Sequence, residues 1–405
     1  MKRFLYLCIF SSLSLTLAHA NTYSREQIHN LGLPVIEIYT DNGIEPSCDK
    51  IDPPAHAIGQ GITNADKVPA QLIKYVDGNE VYNSGLYVKG ESGITIKVRG
   101  NTSARCDKKP YKIKLQKKAD LLQRDNPENY SDKNWLLIKD DSLRALAGLK
   151  VSEILGMQWT PSCEYVNVIL NNDYKGVYLL IESVSRNSKC RLDVDETGYL
   201  FEFDAYWWNE PYYVQSPTPL WTMMHYTLKY PEPEDIGGDR KSEFERIINE
   251  FEGSLKSGDY PKYIDVNSCA KWLLCHDILG NGDPCGTNVY LTKFDNMESK
   301  LQMECLWDYD RILEMKDDWS RQHICGVFCF GPLLSDKSLI FLNEYYQIWE
   351  DVKETAFDDV LSYLQKFTQT VDYENLSRSL ILDNDRWGGA KQKRTNILKP
   401  VNQMV

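Results

Sequence analysis

Positive charge is scarce in this chain. Its 405 residues carry 46 Lys and Arg against 58 Asp and Glu, a formal net charge of −12. A duplex nucleic-acid binder normally presents a basic surface, so no nucleic acid is expected as a partner. No internal repeat of roughly 20–50 residues is visible, which excludes a solenoid or a propeller. The 17 Pro and 24 Gly follow no period, so collagen-like and low-complexity readings fail. No Gly-x-Ser-x-Gly elbow occurs, so a serine hydrolase of that type is unsupported. No Cys-x-x-Cys occurs either. Cys325 and Cys329 are the closest pair, with only His323 beside them, so the support for a zinc site is weak. No apolar run reaches the ~20 residues that a bilayer span takes, so no membrane span is expected.

Aromatic residues are plentiful: 25 Tyr, 12 Phe and 10 Trp. A disordered chain would be poor in them, so a packed core is expected. The N-terminus reads as a secretory signal over residues 1–20. Met1-Lys2-Arg3 is basic, Phe4 to Leu17 is mostly apolar, and Ala18-His19-Ala20 supplies a cleavage site. The expected address is secreted, periplasmic or cell-surface. Of the 11 Cys, Cys8 leaves with the signal and ten remain. Export permits disulfides, but their pairing stays open, as does the alternative of free buried thiols.

The remaining pattern mixes strands and helices. Val35–Tyr39 reads as a strand, and Ala70–Tyr75 and Glu80–Tyr87 as strands about an Asp77-Gly78 turn. Ile94, Ile96 and Val98 alternate with Thr95, Lys97 and Arg99. After a polar loop, Tyr111, Ile113 and Leu115 alternate with Lys112 and Lys114. If the two strands pair, Lys97, Arg99, Lys112 and Lys114 share a face, which alternation alone reads as plain solvated surface. Asp141–Leu155 reads as a helix on which Glu153 could pair with Lys112. Tyr165–Leu170 and Gly176–Glu182 read as a hairpin across Asn171-Asn172-Asp173. Ser183–Tyr230 is polar and aromatic-rich. Its Tyr206-Trp207-Trp208 and Tyr212-Tyr213 read as core or as a substrate-side wall rather than a sugar platform. Lys241–Leu255 and Ser268–Leu279 read as helices, and His276-Asp277 in the second as packing. Val289–Phe294 and Lys300–Trp307 form a second hairpin, and Leu339–Ile397 is mostly helical.

The chemistry concentrates between Gly280 and Asp310. Asp283 and Asn288 stand five apart in a loop, the offset found in protein-kinase catalytic loops. There the Asp accepts a hydroxyl proton and the Asn binds magnesium. A strand, a turn and a strand then lead to Asp308, where kinases place their main metal ligand. Asp308 and Asp310 fall on one side of an extended chain, and magnesium favours such carboxylate oxygens.

Several motifs together carry a family resemblance. They are Arg99-Gly100-Asn101-Thr102-Ser103, Lys108-Lys109-Pro110-Tyr111-Lys112-Ile113, Lys133-Asn134-Trp135-Leu136-Leu137, the Asp141-to-Arg144 helix start, Gly176-to-Glu182 and Trp307-Asp308-Tyr309-Asp310. From Leu33 to Trp387 the chain resembles the CotH family, the spore-coat-protein-H-like atypical protein kinases. The resemblance implies an α+β, two-lobed protein-kinase-like fold, with a strand-rich N-lobe over residues 21–182 and a mainly helical C-lobe over 183–405. It implies ATP and Mg2+ as cofactors, Mn2+ as the alternative ion, and a protein substrate. By position, Asp283 resembles the catalytic Asp, and Asp308, Asn288 and Asp310 the metal-binding set. Arg99, Lys112 and Glu182 are the expected nucleotide contacts, and for Glu182 a structural salt bridge is the alternative. Two departures stand out: Ser103-Ala104-Arg105-Cys106 replaces the bulkier family loop, and Ala145 follows Arg144 where Asn is usual. Two rival readings remain. One is an exported surface-assembly or binding protein on the same fold with little catalysis, the other a metal-dependent phosphohydrolase using the same acids.

Overall fold

The computed structural model describes residues 23–55, 57, 62–140, 142–218, 224–281, 288–305, 307–309, 312–313 and 328–388. The expected signal segment, Asp141, Asp283 and Asp310 lie outside the described residues.

The first part of the fold runs α1 (Arg25–His29), β1 (Val35–Thr40), β2 (Cys48–Ile51), β3 (Ile62–Ala65), β4 (Val68–Val76), β5 (Asn79–Asn83), β6 (Ile94–Val98), β7 (Tyr111–Ala119), β8 (Asp132–Ile138), α2 (Arg144–Ile154), β9 (Cys163–Leu170) and β10 (Asp173–Glu182). The strands pair in the order β1-β9-β10-β8-β7-β6-β4, and β4 pairs back onto β1 from Val35↔Tyr75 to Thr40↔Ala70. Seven strands therefore close into a barrel, with β5 attached outside the ring. Closure leaves no free edge in the ring. The alternation of β6 and β7 decides which side faces in: Ile94, Ile96, Val98, Tyr111, Ile113 and Leu115 are buried in the barrel core with Trp135 and Leu180. Thr95, Lys97, Arg99, Lys112 and Lys114 must then lie on the outer wall. The β9–β10 turn is as expected, because Asn171 and Asn172 take φ of 50° and 64°, the left-handed pair that a tight hairpin needs.

Helix α2 begins at Arg144 rather than Asp141. Leu143 sits at φ 57°, outside the helical region, and the Asp140 carboxylate accepts from the Ser142 and Ala145 N–H groups at 3.1 and 3.3 Å. A local turn thus replaces the first helical turn.

The second part holds strands as well as helices. It holds β11 (Tyr199–Asp204), β12 (Tyr213–Gln215), β13 (His225–Tyr230), α3 (Gly238–Ser257), α4 (Val266–Leu279), β14 (Val289–Lys293) and β15 (Leu301–Met303). The strands form a five-stranded sheet in the order β12-β13-β11-β14-β15. All six residues of β11 are buried, so its sequence does not show the polar alternation that marks a half-exposed strand. Phe201 and Phe203 pack with Tyr226, and Phe201 also meets Phe244 on α3. On α3, Phe244, Ile247, Ile248 and Phe251 are buried at helical spacing. Each such side chain contributes about 1.5–3 kcal/mol by leaving water.

Four more helices follow: Phe330–Leu334, Ile340–Val352, Ala356–Phe367 and Val371–Trp387. The last returns to the barrel. Its Asp383 accepts from the Val177 N–H at 2.8 Å and pairs with Lys108 at 2.5 Å, while Arg386 meets Asp173 at 2.6 Å. The loop between β6 and β7, which carries Lys108, is therefore held by the far end of the sequence. Among the described residues no helix is long and apolar enough to cross a membrane.

Candidate active site

Strands β6 and β7 pair with Lys97 opposite Lys112 and Thr95 opposite Lys114. The register brings the expected cations together on the barrel's outer wall. Lys97, Arg99, Lys112 and Lys114, with Lys67, line a cleft of about 570 Å³ whose opposite wall is the five-stranded sheet through Leu200, Glu202, Leu228 and Lys229. Among the described residues no carboxylate forms an ion pair with Lys97, Arg99, Lys112 or Lys114. Burial pushes the Lys112 ammonium down to about 8, with help from the like charges of Lys97, Lys229, Lys114 and Arg99. Burial and then Lys67 lower Lys97. Glu202, Glu210, Glu232 and Glu234 line the same cleft, but crowded cations that form no ion pair among the described residues favour an anion.

The loop holding Asp283 is anchored at both described ends. Gly280 closes α4 in the left-handed conformation at φ 57°, and the Asn281 N–H donates to the His276 carbonyl at 3.0 Å. Asn281 is fully buried, and its Nδ2 donates to the Asp308 carbonyl at 3.3 Å. Beyond the loop, the Asn288 N–H donates to Glu202 Oε1 at 2.9 Å. Thus the loop start meets the Asp308 segment and the loop end meets β11. Asn288 and Asp308 both take left-handed φ, 65° and 66°, a region that Asn and Asp tolerate better than other side chains.

Asp308 lines a second, smaller cavity of about 130 Å³ with Arg99, Asp140, Arg144 and Tyr309. Arg99 and Trp307 line both cavities, so the cation face and Asp308 belong to one region. Helix α2 abuts it: a Cβ on Gly148 would lie 2.2 Å from the Tyr309 ring, where only glycine fits. Gly148→Ala should improve helix propensity by up to about 1 kcal/mol. It should nevertheless destabilise the protein, because overpacking costs about 1–3 kcal/mol. A lower midpoint in thermal unfolding is the expected result, and an unchanged or higher one would show that Tyr309 yields freely.

Several expected positions resolve differently. Glu182 is buried and lines neither cavity. It pairs with Arg124 at 2.8 Å and with Arg191, and accepts from the Ser162 N–H at 2.9 Å. This geometry favours the structural-salt-bridge alternative over a nucleotide contact. Glu153 does not reach Lys112; it is exposed and bonds Lys150 at 3.0 Å. His276 packs as expected, its ring 4.1 Å from Trp272, and burial pushes it down to about 3, so it is neutral. Trp207 is buried between Tyr213 and His225 at 4.5 and 4.3 Å, a core role.

Glu202, Asp204, Glu210 and Lys229 went unnoticed in the sequence. Lys229 pairs with Glu202 at 3.2 Å and Glu210 at 3.6 Å. Asp204 accepts from the Tyr206 N–H at 2.7 Å and from Thr227 Oγ1 at 3.3 Å. Burial first, and then the Glu202 charge, raise the Asp204 carboxyl to about 7. The signal was two carboxylates, Glu202 and Asp204, inside an otherwise apolar strand.

A metal here would meet oxygen ligands, since Asp308 and Asn288 offer oxygens only, the donor set of a hard cation such as magnesium. Among the described residues no group of three or more His, Cys, Asp or Glu is placed to hold a metal by itself. Asp283 and Asp310, the other expected acids, lie outside the described residues.

The sequence pattern of the family described as CotH kinase protein matches residues 96–404. The match starts later than the resemblance read from the motifs, leaving β1 to β5 outside it. No match was found among the curated proteins.

Proposed function

Because the chain belongs to the CotH kinase protein family, we propose that it is an exported, magnesium-dependent kinase that transfers a phosphoryl group from ATP or another nucleotide to a protein hydroxyl. The single observation that carries this reading is the cation face beside Asp308. Among the described residues no carboxylate forms an ion pair with Lys97, Arg99, Lys112 or Lys114, which line a cleft wide enough for a nucleotide. In this reading the barrel would serve as one lobe of a two-lobed, kinase-like arrangement, and the five-stranded sheet with α3 and α4 would begin the other.

In this reading Lys112 and Arg99 bind the phosphates. Phosphoryl transfer needs positioning and charge stabilisation more than covalent help. Asp283 orients the acceptor hydroxyl and takes its proton as the oxygen joins phosphorus. Asn281 and Glu202 hold the described residues on either side of the segment that carries Asp283. Asp308, Asn288 and Asp310 would hold Mg2+ or Mn2+, which when bound neutralises charge on the phosphates.

The test is incubation of the protein with γ-labelled ATP, magnesium or manganese, and candidate proteins including itself. Label on a protein hydroxyl supports the proposal. ATP consumption without labelled protein would point to a phosphohydrolase, and nucleotide binding without turnover to a binding module.

Lys112 gives this reading a pH signature. Its folded value of about 8 lies below the ordinary lysine range, and a bound phosphate would hold its proton to higher pH. Nucleotide affinity should therefore be full below pH 8 and fall as pH rises through it, by up to about tenfold per unit. Lys112→Ala should remove that slope and weaken binding at pH 7 on the order of 1–3 kcal/mol. Calorimetry across pH 7–9.5 checks both; an unchanged dissociation constant would make Lys112 plain surface.

A further inference from the structure

We propose that Cys269 and Cys329 form a disulfide that ties α4 to the corner where the Phe330–Leu334 helix begins. Both residues are fully buried, in one core cluster. Both are free thiols in the structure, and the two act on each other: burial first, and then the Cys269 thiol, raise the Cys329 thiol. The surroundings set the same approach independently. Phe330, next to Cys329, stacks on Trp272 with ring centres 5.5 Å apart and planes within 13°. Trp272 stands three residues after Cys269 on α4, so the two side chains share a helix face. Other thiols are directed elsewhere: Cys48 turns to the Ala104 carbonyl and Cys106 to that of Thr102.

The bond would close a loop from residue 269 to residue 329. That loop contains Asn281, Asn288 and Asp308, with the 282–287 segment between the two asparagines. A cross-link there acts mainly on the unfolded chain by removing loop-closure entropy, and a long loop gains most. It would also fix α4, whose end launches the segment, to the corner that follows it.

The chemistry needs an oxidant. Each thiol gives up one proton and one electron and the sulfurs join. A small-molecule disulfide such as oxidised glutathione takes up the two electrons and two protons and splits into two thiols. Exchange proceeds through a thiolate, and burial raises the Cys329 thiol, so oxidation belongs to folding, before α4 is covered.

The test uses the full chain, unfolded in reductant and refolded in a glutathione redox couple. Free thiols are alkylated in denaturant, and the digest is mapped without reduction. The expected product is one peptide pair joining Cys269 to Cys329, lighter than the two peptides by two hydrogens. Alkyl label on both residues would overturn the proposal, as would either residue joined to another cysteine, Cys285 and Cys325 included. A second measurement compares unfolding with and without reductant. Reduction should lower the wild-type midpoint on the order of 5 °C and leave the Cys269→Ala/Cys329→Ala variant unmoved. An equal response in the two proteins would overturn it. If the double variant does not fold, the peptide map alone decides. Neither measurement involves phosphoryl transfer, so failure here leaves the kinase reading standing.

Discussion

Asp308→Asn is expected to cut phosphoryl transfer by at least about a hundredfold and to weaken nucleotide binding only when magnesium is present. The substitution suits the site because the backbone at Asp308 is left-handed, at φ 66°. Asn tolerates that conformation as Asp does, so the main chain and the Asn281 bond to its carbonyl should persist. Alanine would add strain of about 1 kcal/mol and confuse the result. Only a negative charge and a hard ligand are lost, and a neutral amide oxygen holds magnesium more weakly. Calorimetry with and without magnesium, beside transfer kinetics on protein shown to be folded by circular dichroism, separates the two effects. Full activity in this variant would remove Asp308 from the site.

Asp283→Asn should give the complementary pattern. Turnover should fall by about two to four powers of ten, the usual scale of general-base losses. Binding of nucleotide with magnesium should stay nearly intact, because in our reading Asp283 serves the acceptor hydroxyl and not the phosphates. The decisive comparison is the ratio of the two variants' magnesium-dependent affinities under identical conditions. If Asp283→Asn lost affinity as Asp308→Asn does, Asp283 would be a metal ligand and another group would have to take the proton. If it kept full turnover, the kinase assignment of this loop would fail.

Much of the barrel wall was legible from alternation. The strands β6, β7, β9 and β10 are half-exposed, or end in turns with their own chemistry, such as Asn171-Asn172. The shared face of Lys97, Arg99, Lys112 and Lys114 followed from that period. Solvated surface was the favoured reading there because a sequence does not show the wall opposite. The β11–β13 region stayed hidden because β11 is buried on both faces and presents no alternation. With it went Glu202, whose bond to Asn288 anchors the loop. Glu182 looked functional by its place at a strand end, but Arg124 is distant in sequence and only the fold brings it there. The start of α2 was misplaced by three residues because Leu143 takes a conformation that leucine rarely adopts.

Ring closure in the barrel bears on how the molecule can be divided. The family span opens at residue 96, inside β6, yet β1 and β4 lie upstream and complete the circle. A shortened chain starting there would strip β1 from β9 and β4 from β6. Two raw borders would appear, each with unpaired N–H and C=O groups ready to join a neighbouring molecule. The wall that carries Lys97 and Lys112 would become one of those borders, and its cations would be left on a sticky seam. The residues from Val35 to Val76 thus act as a clasp, and a shortened chain keeps the ring whole only if it begins upstream of them.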